Sequence, residues 1–473
     1  MKFVITFLLL LNSAIPASQL PFTVEACEDA SSQFPGAPHV QSFAFGQWQG
    51  RWVFIGGRIA GYHSVGGGSA EFLQKDANQD VWMVDTTVQP ARTYHAPLAL
   101  LPAKLTAVKD QWSSAGLLYA QDGSKLYIAG GYGIDHEGKW VTFPLISQVD
   151  LPELVEGVMK GQVPAASITF ASSPLVQSAG GELIKLPGNH FYLVMGHVFM
   201  GSYTAFEGQG EKNRGEVSQA YLNEIRELKV DCGPNNGLTV QLVKAYKDDQ
   251  EFHRRDLNAV EFMSPKGLGI AAYGGVFTPD TQLGYSKPIY LMPGSTPQID
   301  SSFEQRMNAY VCPRLLMYDK TTQTMHTTLF GGISRYSWDI AKHSFVANPM
   351  VGDKTAAAYL DGMQWSDQVS TISRTMEPGK EQTREIVQAS SLPAFLGADG
   401  IFIPLSDIPR AQSGTQILDL ASLPQGRTLV GYIYGGIHAF PYQFPYNKGA
   451  ASYNSGATPS KPSEMILKVY VQR

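Results

Sequence analysis

Charge is scarce in this sequence. Asp, Glu, Lys and Arg together make up 16% of the 473 residues, against roughly 25% in an average soluble domain. The formal net charge is -5, with no run of like charges and no clustered basic face, which argues against nucleic acid as a partner and against a charged tail. Cysteine is scarcer still, at three residues, Cys27, Cys232 and Cys312. An odd count in an exported protein leaves at least one unpaired and argues against a disulfide framework. Beyond the first residues no apolar stretch approaches the length of a membrane helix, so no membrane span is expected. There is no helical period of note, no zinc signature, no nucleotide-binding glycine loop and no Gly-x-Ser-x-Gly elbow. The run Gly66-Gly67-Gly68 has no helix after it, which argues against a phosphate cradle.

The N-terminus has a recognisable layout. Met1-Lys2 is followed by an apolar run from Phe3 to Leu11 broken only by Thr6, then by small residues and Pro16. This is the pattern of a secretory signal peptide over residues 1–18, leaving 19–473 as a single exported domain in the periplasm, at the cell surface or outside the cell. Val24-Glu25-Ala26-Cys27 faintly resembles a lipoprotein cleavage box, but Glu25 and the distance from the apolar run speak against lipidation at Cys27.

What is plentiful is glycine, at 47 residues, and aromatics, at 11%. That balance points to an all-β chain rich in turns. Apolar-Gly-Gly recurs as Phe54-Ile55-Gly56-Gly57, Ala129-Gly130-Gly131, Ala272-Tyr273-Gly274-Gly275, Leu329-Phe330-Gly331-Gly332 and Ile433-Tyr434-Gly435-Gly436, with a degenerate copy at Val194-Met195-Gly196. The spacing averages about 76 residues, and such regularity marks repeat architecture. Before each copy lies a hairpin with a polar turn. The six predicted hairpins cover 42–55, 117–128, 183–195, 258–273, 310–330 and 417–434, and a third strand follows each at 80–85, 146–151, 223–230, 288–292, 368–374 and 465–471. A fourth, weaker strand usually follows, as at 238–243. Four strands in each of six units predict a six-bladed β-propeller. The chain stops after the last unit's third strand, so Phe22-Thr23-Val24-Glu25-Ala26 is expected to complete the sixth blade and close the ring.

The unit of hairpin, apolar-Gly-Gly, loop and apolar strand resembles a kelch repeat, the blade of galactose-oxidase-like propellers, over essentially the whole mature chain. The later Tyr and Trp of typical kelch units are mostly missing and the period is longer than that family's roughly 50 residues. The resemblance implies that the glycines end each second strand near the ring centre, where a Cβ would crowd neighbouring backbone.

Strand order puts the tight turns on one face and the long links on the other, and loops on a rigid scaffold are where binding is expected. Residues just after the glycines (Arg58, Tyr132, His197, Phe277, Arg335 and His438) and residues entering the first strands (Asp110, Trp112, Arg255, Asp256, Asn258, Arg306 and Asn308) are expected to ring the mouth of the central channel on the long-loop face. The densest polar cluster is Phe252-His253-Arg254-Arg255-Asp256-Leu257-Asn258, where Arg255 could grip a carboxylate or simply pair with Asp256. The aromatic loops around Ser334-Arg335-Tyr336-Ser337-Trp338-Asp339 and from His438 to Tyr446 suit sugar or peptide binding, or else a packed cap. His190, Met195, His197 and Met200 are copper-compatible types, but only Met195 and His197 share a side of a strand, and core packing accounts for them better. Asp135-His136-Glu137 reads as a solvated loop tip.

No metal or other cofactor is expected. The function expected is binding of a carbohydrate or protein partner through the long-loop face. The kelch resemblance also admits an exported sugar enzyme similar to sialic acid mutarotases, with Arg255 or Arg335 on the sugar carboxylate. A copper radical oxidase similar to galactose oxidase ranks last, because neither Cys232 nor Cys312 can be placed beside a metal-ready histidine pair.

Overall fold

The computed structural model describes residues 20–63, 72–203, 217–233, 237–281, 283–351, 360–440 and 460–473. The segment read as a signal peptide and the loop beyond Phe440 lie outside them. Six sheets, each built on four antiparallel strands and two of them carrying a short fifth, stand around one axis as a six-bladed β-propeller. From the axis outward, blade 1 is Ala44–Trp48, Arg51–Ile55, Asp80–Asp85 and Arg92–Pro97. Blade 2 is Ala115–Asp122, Lys125–Ile134, Leu145–Asp150 and Ile168–Ser172. Blade 3 is Glu182–Leu186, His190–Val194, Glu224–Cys232 and Leu238–Lys247. Blade 4 is Asn258–Ser264, Gly267–Tyr273, Ile289–Leu291 and Gln298–Ile299. Blade 5 is Arg314–Asp319, Thr324–Phe330, Val369–Thr375 and Gln382–Val387. Blade 6 is Gly400–Pro404, Arg427–Gly435 and Leu467–Gln472, with Thr23–Asp29 paired on its outer edge.

The second strand of each blade is covered on both faces by its neighbours. That is why these strands read as continuous apolar runs rather than as alternation. Leu126, Ile128 and Ala129 are fully buried, as are Phe54, Leu193 and Phe330. Core therefore lies between blades. Leu118, Ala129 and Ile146 of blade 2 pack on Leu183, Phe191 and Leu193 of blade 3. At the seam between blades 6 and 1, Phe54 stacks on Tyr434 with centroids 4.4 Å apart.

The double glycines lock this arrangement. The second glycine of every copy donates its backbone N–H to a carbonyl of the next blade. Gly57 bonds Ser114 at 2.7 Å, Gly131 bonds Ser178 at 2.9 Å and Gly196 bonds Arg254 at 2.9 Å. Gly275 bonds Ala309 at 2.6 Å, Gly332 bonds Leu396 at 2.9 Å, and Gly436 returns to Val40 of blade 1 at 3.0 Å. Both glycines of each full pair have positive φ, for example 61° and 90° at Gly130 and Gly131. A Cβ on Gly130 would collide with the Ser178 carbonyl, and one on Gly274 with the Ala309 carbonyl. In the degenerate copy Met195 takes the left-handed conformation itself, at φ 59°.

A second belt lies where the chain enters the inner strands. Ser42 donates to Asp399 O, Gly116 to Ser42 O, Asp256 to Gly180 O, Val311 to Asp256 O and Asp399 to Val311 O, at 3.4, 3.1, 2.6, 2.8 and 3.1 Å. These backbone bonds run round the channel at its waist and join five of the six neighbouring pairs of inner-strand entries.

Three expectations need correction. The inner arm of the sixth hairpin is Gly400–Pro404, not residues 417–420. Leu418–Asp419 instead pairs in parallel with Met317 and Tyr318 of blade 5. Residues 405–426 form an insertion within the hairpin, longer than the common hairpin loop, and its apolar run resembles a strand arm. Among the described residues two short α-helices are present, Thr106–Trp112 and Leu151–Val158; the second opens on Asp150, whose side chain caps the Glu153 N–H. Both are too short for a periodic signal to stand out. Finally, the long links are not plain loops but carry two-stranded ribbons, including His197–Met200 with Ser218–Tyr221 and Tyr336–Asp339 with Ser344–Ala347. Among the described residues no helix is long and apolar enough to cross a membrane.

The two kinds of glycine should separate in equilibrium urea unfolding. Gly123 sits in an exposed turn with nothing within 4 Å of a would-be Cβ, so Gly123→Ala suffers mainly from its φ of 58° and should cost about 1 kcal/mol. Gly130→Ala adds the backbone collision and should cost about 3 kcal/mol or more. Equal losses would contradict the role assigned to the inter-blade contact.

Candidate functional site

On the long-loop face the channel opens into a cavity of about 90 Å³. Its floor is the waist belt, through Ser42, Gly116, Gly180, Asp256 and Asp399. Its wall is built from the residue that follows the glycines in four of the six blades: Arg58, Tyr132, His197 and Ile437. Arg255 and Tyr310 complete the polar part, and Tyr62, His63, Phe72 and Tyr203 from the long links form an aromatic rim.

Each polar group is held by the strand that carries it. Arg255 is fixed by paired backbone bonds with Val276, at 2.7 and 2.9 Å. Its Nη1 lies 3.3 Å from His197 Nδ1 and its Nε 3.4 Å from Asp256 Oδ2. Gln219 Nε2 also reaches His197 Nδ1, at 2.7 Å. A guanidinium can only donate, so Nδ1 accepts and the imidazole proton sits on Nε2. Burial, helped by the Arg255 charge, holds the His197 pKa far below its usual range, and the ring is neutral. Arg58 bonds Gln41 through its backbone at 2.9 and 3.1 Å, and its guanidinium lies 4.4 Å from the Phe72 ring centroid. Tyr132 donates to Gly201 O at 2.6 Å and accepts from Tyr203 N at 3.0 Å.

The two carboxylates differ from ordinary ones. Burial raises Asp256, against the Arg255 charge and a hydrogen bond with Tyr310. Asp399 is pushed up to about 7 by burial and then by the Asp256 charge, against a Ser42 hydrogen bond and the Arg58 charge. At neutral pH the cavity therefore holds two arginines, the neutral His197 ring, and Asp399, which titrates near neutrality beside Asp256.

Of the residues expected at the mouth, Arg58, Tyr132, His197, Arg255 and Asp256 share this cavity. Asn258, Arg306, Arg335, Trp338 and His438 do not line it. Asn258 is fully buried and spent on backbone: it donates to Tyr310 O at 2.9 Å and accepts from Cys312 N at 3.0 Å, stapling blade 4 to blade 5. Asn308 is buried too and bonds Gly331 O and the Ser370 hydroxyl. Arg306 pairs with Glu304 at 2.6 Å and bonds the Tyr336 hydroxyl at 3.1 Å. Arg335 bonds Asn348 O and lies 5.4 Å from the Tyr336 ring centroid. Trp338 lies edge-on to Phe345 at 4.9 Å, with its backbone held by Gln368. His438 packs on Phe440 at 4.2 Å, and burial lowers its pKa.

The reason is register. In four blades the residue that enters the cavity is the first after the glycines, while His438 is the second, and one step along a strand reverses the side chain's face; Arg335 is the third, and its guanidinium bonds Asn348 O instead. Trp112 is buried in blade 2 and bonds Ser147, while Asp110 bonds His136 at 2.7 Å. The copper-compatible set is dispersed, with His190 paired to Glu227 at 2.7 Å. Among the described residues no three His, Cys, Asp or Glu side chains gather as a metal site. Cys27 and Cys232 are exposed and Cys312 is buried; none is in a disulfide.

Asp399, Tyr310, Ser42 and the aromatic rim were not expected at the mouth. Asp399 had a signal, because it stands at the entry to an inner strand as Asp256 does. The misplaced sixth hairpin hid it.

No family model and no curated protein sequence matches the chain. Among solved structures, one titled "Structure of YjhT" is similar at 10% identity, with a TM-score of 0.48, over 92% of this chain and 98% of that one.

The raised acid has a stability signature. Asp399 keeps its proton to about pH 7 when folded, against an ordinary value of 3.8. The folded state therefore binds more protons between those values, and the stabilisation is lost as pH rises through 7. Urea midpoints measured from pH 5 to pH 8 should fall less for Asp399→Asn than for the parent chain. Parallel curves would contradict a buried, protonated Asp399. Glu261 and Glu385, also raised to about 7, keep a residual slope in both.

Proposed function

We propose that the long-loop cavity binds a small carbohydrate bearing a carboxylate. The observation that carries this is the pairing of Arg58 with Arg255 in one buried, aromatic-rimmed cavity whose acid Asp399 is largely protonated below neutrality. Guanidinium groups match a carboxylate by charge-assisted, forked hydrogen bonds. His197 adds a neutral Nε2–H donor. The aromatic rim offers apolar faces to a sugar ring. We read the blades as kelch-like and the chain as exported, on the repeat and the N-terminal pattern.

Calorimetric titration with N-acetylneuraminic acid, glucuronic acid, neutral sugars and short glycans tests this. Acidic sugars should bind in preference to neutral ones. Arg255→Ala and Arg58→Ala should each weaken binding about tenfold to hundredfold, the scale of a lost charge-assisted bond. The pH sign follows from Asp399: above pH 7 it gains a negative charge beside Arg58 and opposes an anion. Affinity for the acidic sugar should therefore fall by up to about tenfold between pH 6 and pH 8. A flat response to every small molecule would overturn the reading in favour of a macromolecular partner on this face.

Asp399 also favours a second reading, an enzyme that opens and recloses a sugar acid ring. A pKa near 7 suits a group that takes and returns a proton at neutral pH. Asp399→Asn should keep binding and lose acceleration of anomer exchange followed by NMR. An unchanged exchange rate in that variant would contradict the catalytic role.

A further inference from the structure

The inner strands enclose a second cavity at the opposite, tight-turn end of the channel. Its volume is about 190 Å³, against about 90 Å³ for the long-loop cavity. The insertion 405–426 borders it, tied down where Gln416 N donates to Glu261 Oε2 at 2.7 Å. At its inner end Arg314 Nη1 donates to Glu182 Oε1, and this pair also lines the space beneath the waist belt.

The wall is polar yet balanced. Arg314 is paired with Glu182, and Lys185 with Asp122 at 3.0 Å. Glu261 is raised to about 7 by burial and has the Arg410 charge nearby. Much hydrogen-bonding capacity is left over among the described residues. Arg314 makes one side-chain hydrogen bond and Glu182 uses one carboxylate oxygen. Tyr119, Gln47 and Gln416 line the same space. Phe45, Tyr119 and Phe402 add flat apolar surface.

A wall of cancelled charges has little net field to hold an ion. Donors beside acceptors match hydroxyl groups, each of which both gives and accepts, and aromatic faces match the apolar face of a sugar ring. We propose that the tight-turn end of the channel is a second binding site, for a neutral pyranose or similar polyol, separate from the long-loop cavity.

Saturation-transfer NMR and calorimetry on the intact chain with D-glucose, D-galactose and D-glucitol at pH 7 test it. At least one probe should bind saturably, with affinity within twofold of the parent in Arg255→Ala and at least tenfold weaker in Arg314→Met. Because Arg314→Met leaves Glu182 without its partner, the double variant Gln47→Ala/Gln416→Ala is measured beside it. That variant removes two wall amides outside the core and should weaken binding at least threefold with an unchanged melting temperature. The proposal is overturned if no probe binds, if Arg255→Ala abolishes binding, or if binding is indifferent to the double variant.

Discussion

The structure depends on one backbone hydrogen bond made six times. The second residue of each Gly-Gly pair, and Gly196 in the degenerate copy, hands its N–H to the next blade, and the last copy hands it back to the first. A single such bond contributes about 1 kcal/mol net, but leaving a buried donor unmatched costs more, so every blade needs its neighbour at one fixed distance. That distance leaves no room for a Cβ at the contact. The glycines that weaken a strand in isolation are what let strands from different blades approach at the axis. The apolar layers between blades supply most of the stabilisation, and the glycine contacts set how the layers align.

The site is a consequence of that geometry. Once a strand has passed its double glycine, the next side chain faces the axis, which delivers Arg58, Tyr132 and His197 to one cavity from three blades. The waist belt brings Asp256 and Asp399 to its floor by the same logic from two more. Neither arginine nor acid is a sequence neighbour of its partners across the cavity. Burial raises Asp399 most, the charge that adds to it comes from blade 4, and the Ser42 hydrogen bond and the Arg58 charge that lower it come from blade 1. A ring that slipped by one residue in any blade would dissolve this coupling.

Much of the architecture was legible because the repeat is written in backbone chemistry. Five double glycines, the degenerate copy at Gly196 and their hairpins set the number of blades at six, and the first five hairpins fall close to where turn residues and apolar arms put them. The sixth was misread because Leu418, in an insertion, is as apolar as the true arm Ile401-Phe402-Ile403. The site was half legible. A residue directly after the glycines could be placed at the mouth from sequence, but His438, one position further on, faces away by register, and Arg335 is held by Asn348 O within its own link. Tyr62, Phe72 and Tyr203 were illegible, since no period governs where a long link returns to the channel.

The central claim is that two arginines from different blades hold one carboxylate at the long-loop mouth. A crystal structure of the chain grown with N-acetylneuraminic acid at pH 6 tests it most directly. The account predicts the sugar in the long-loop cavity, with its carboxylate oxygens within hydrogen-bonding distance of both Arg58 and Arg255. A ligand bound elsewhere, or a carboxylate turned away from both arginines, would contradict it.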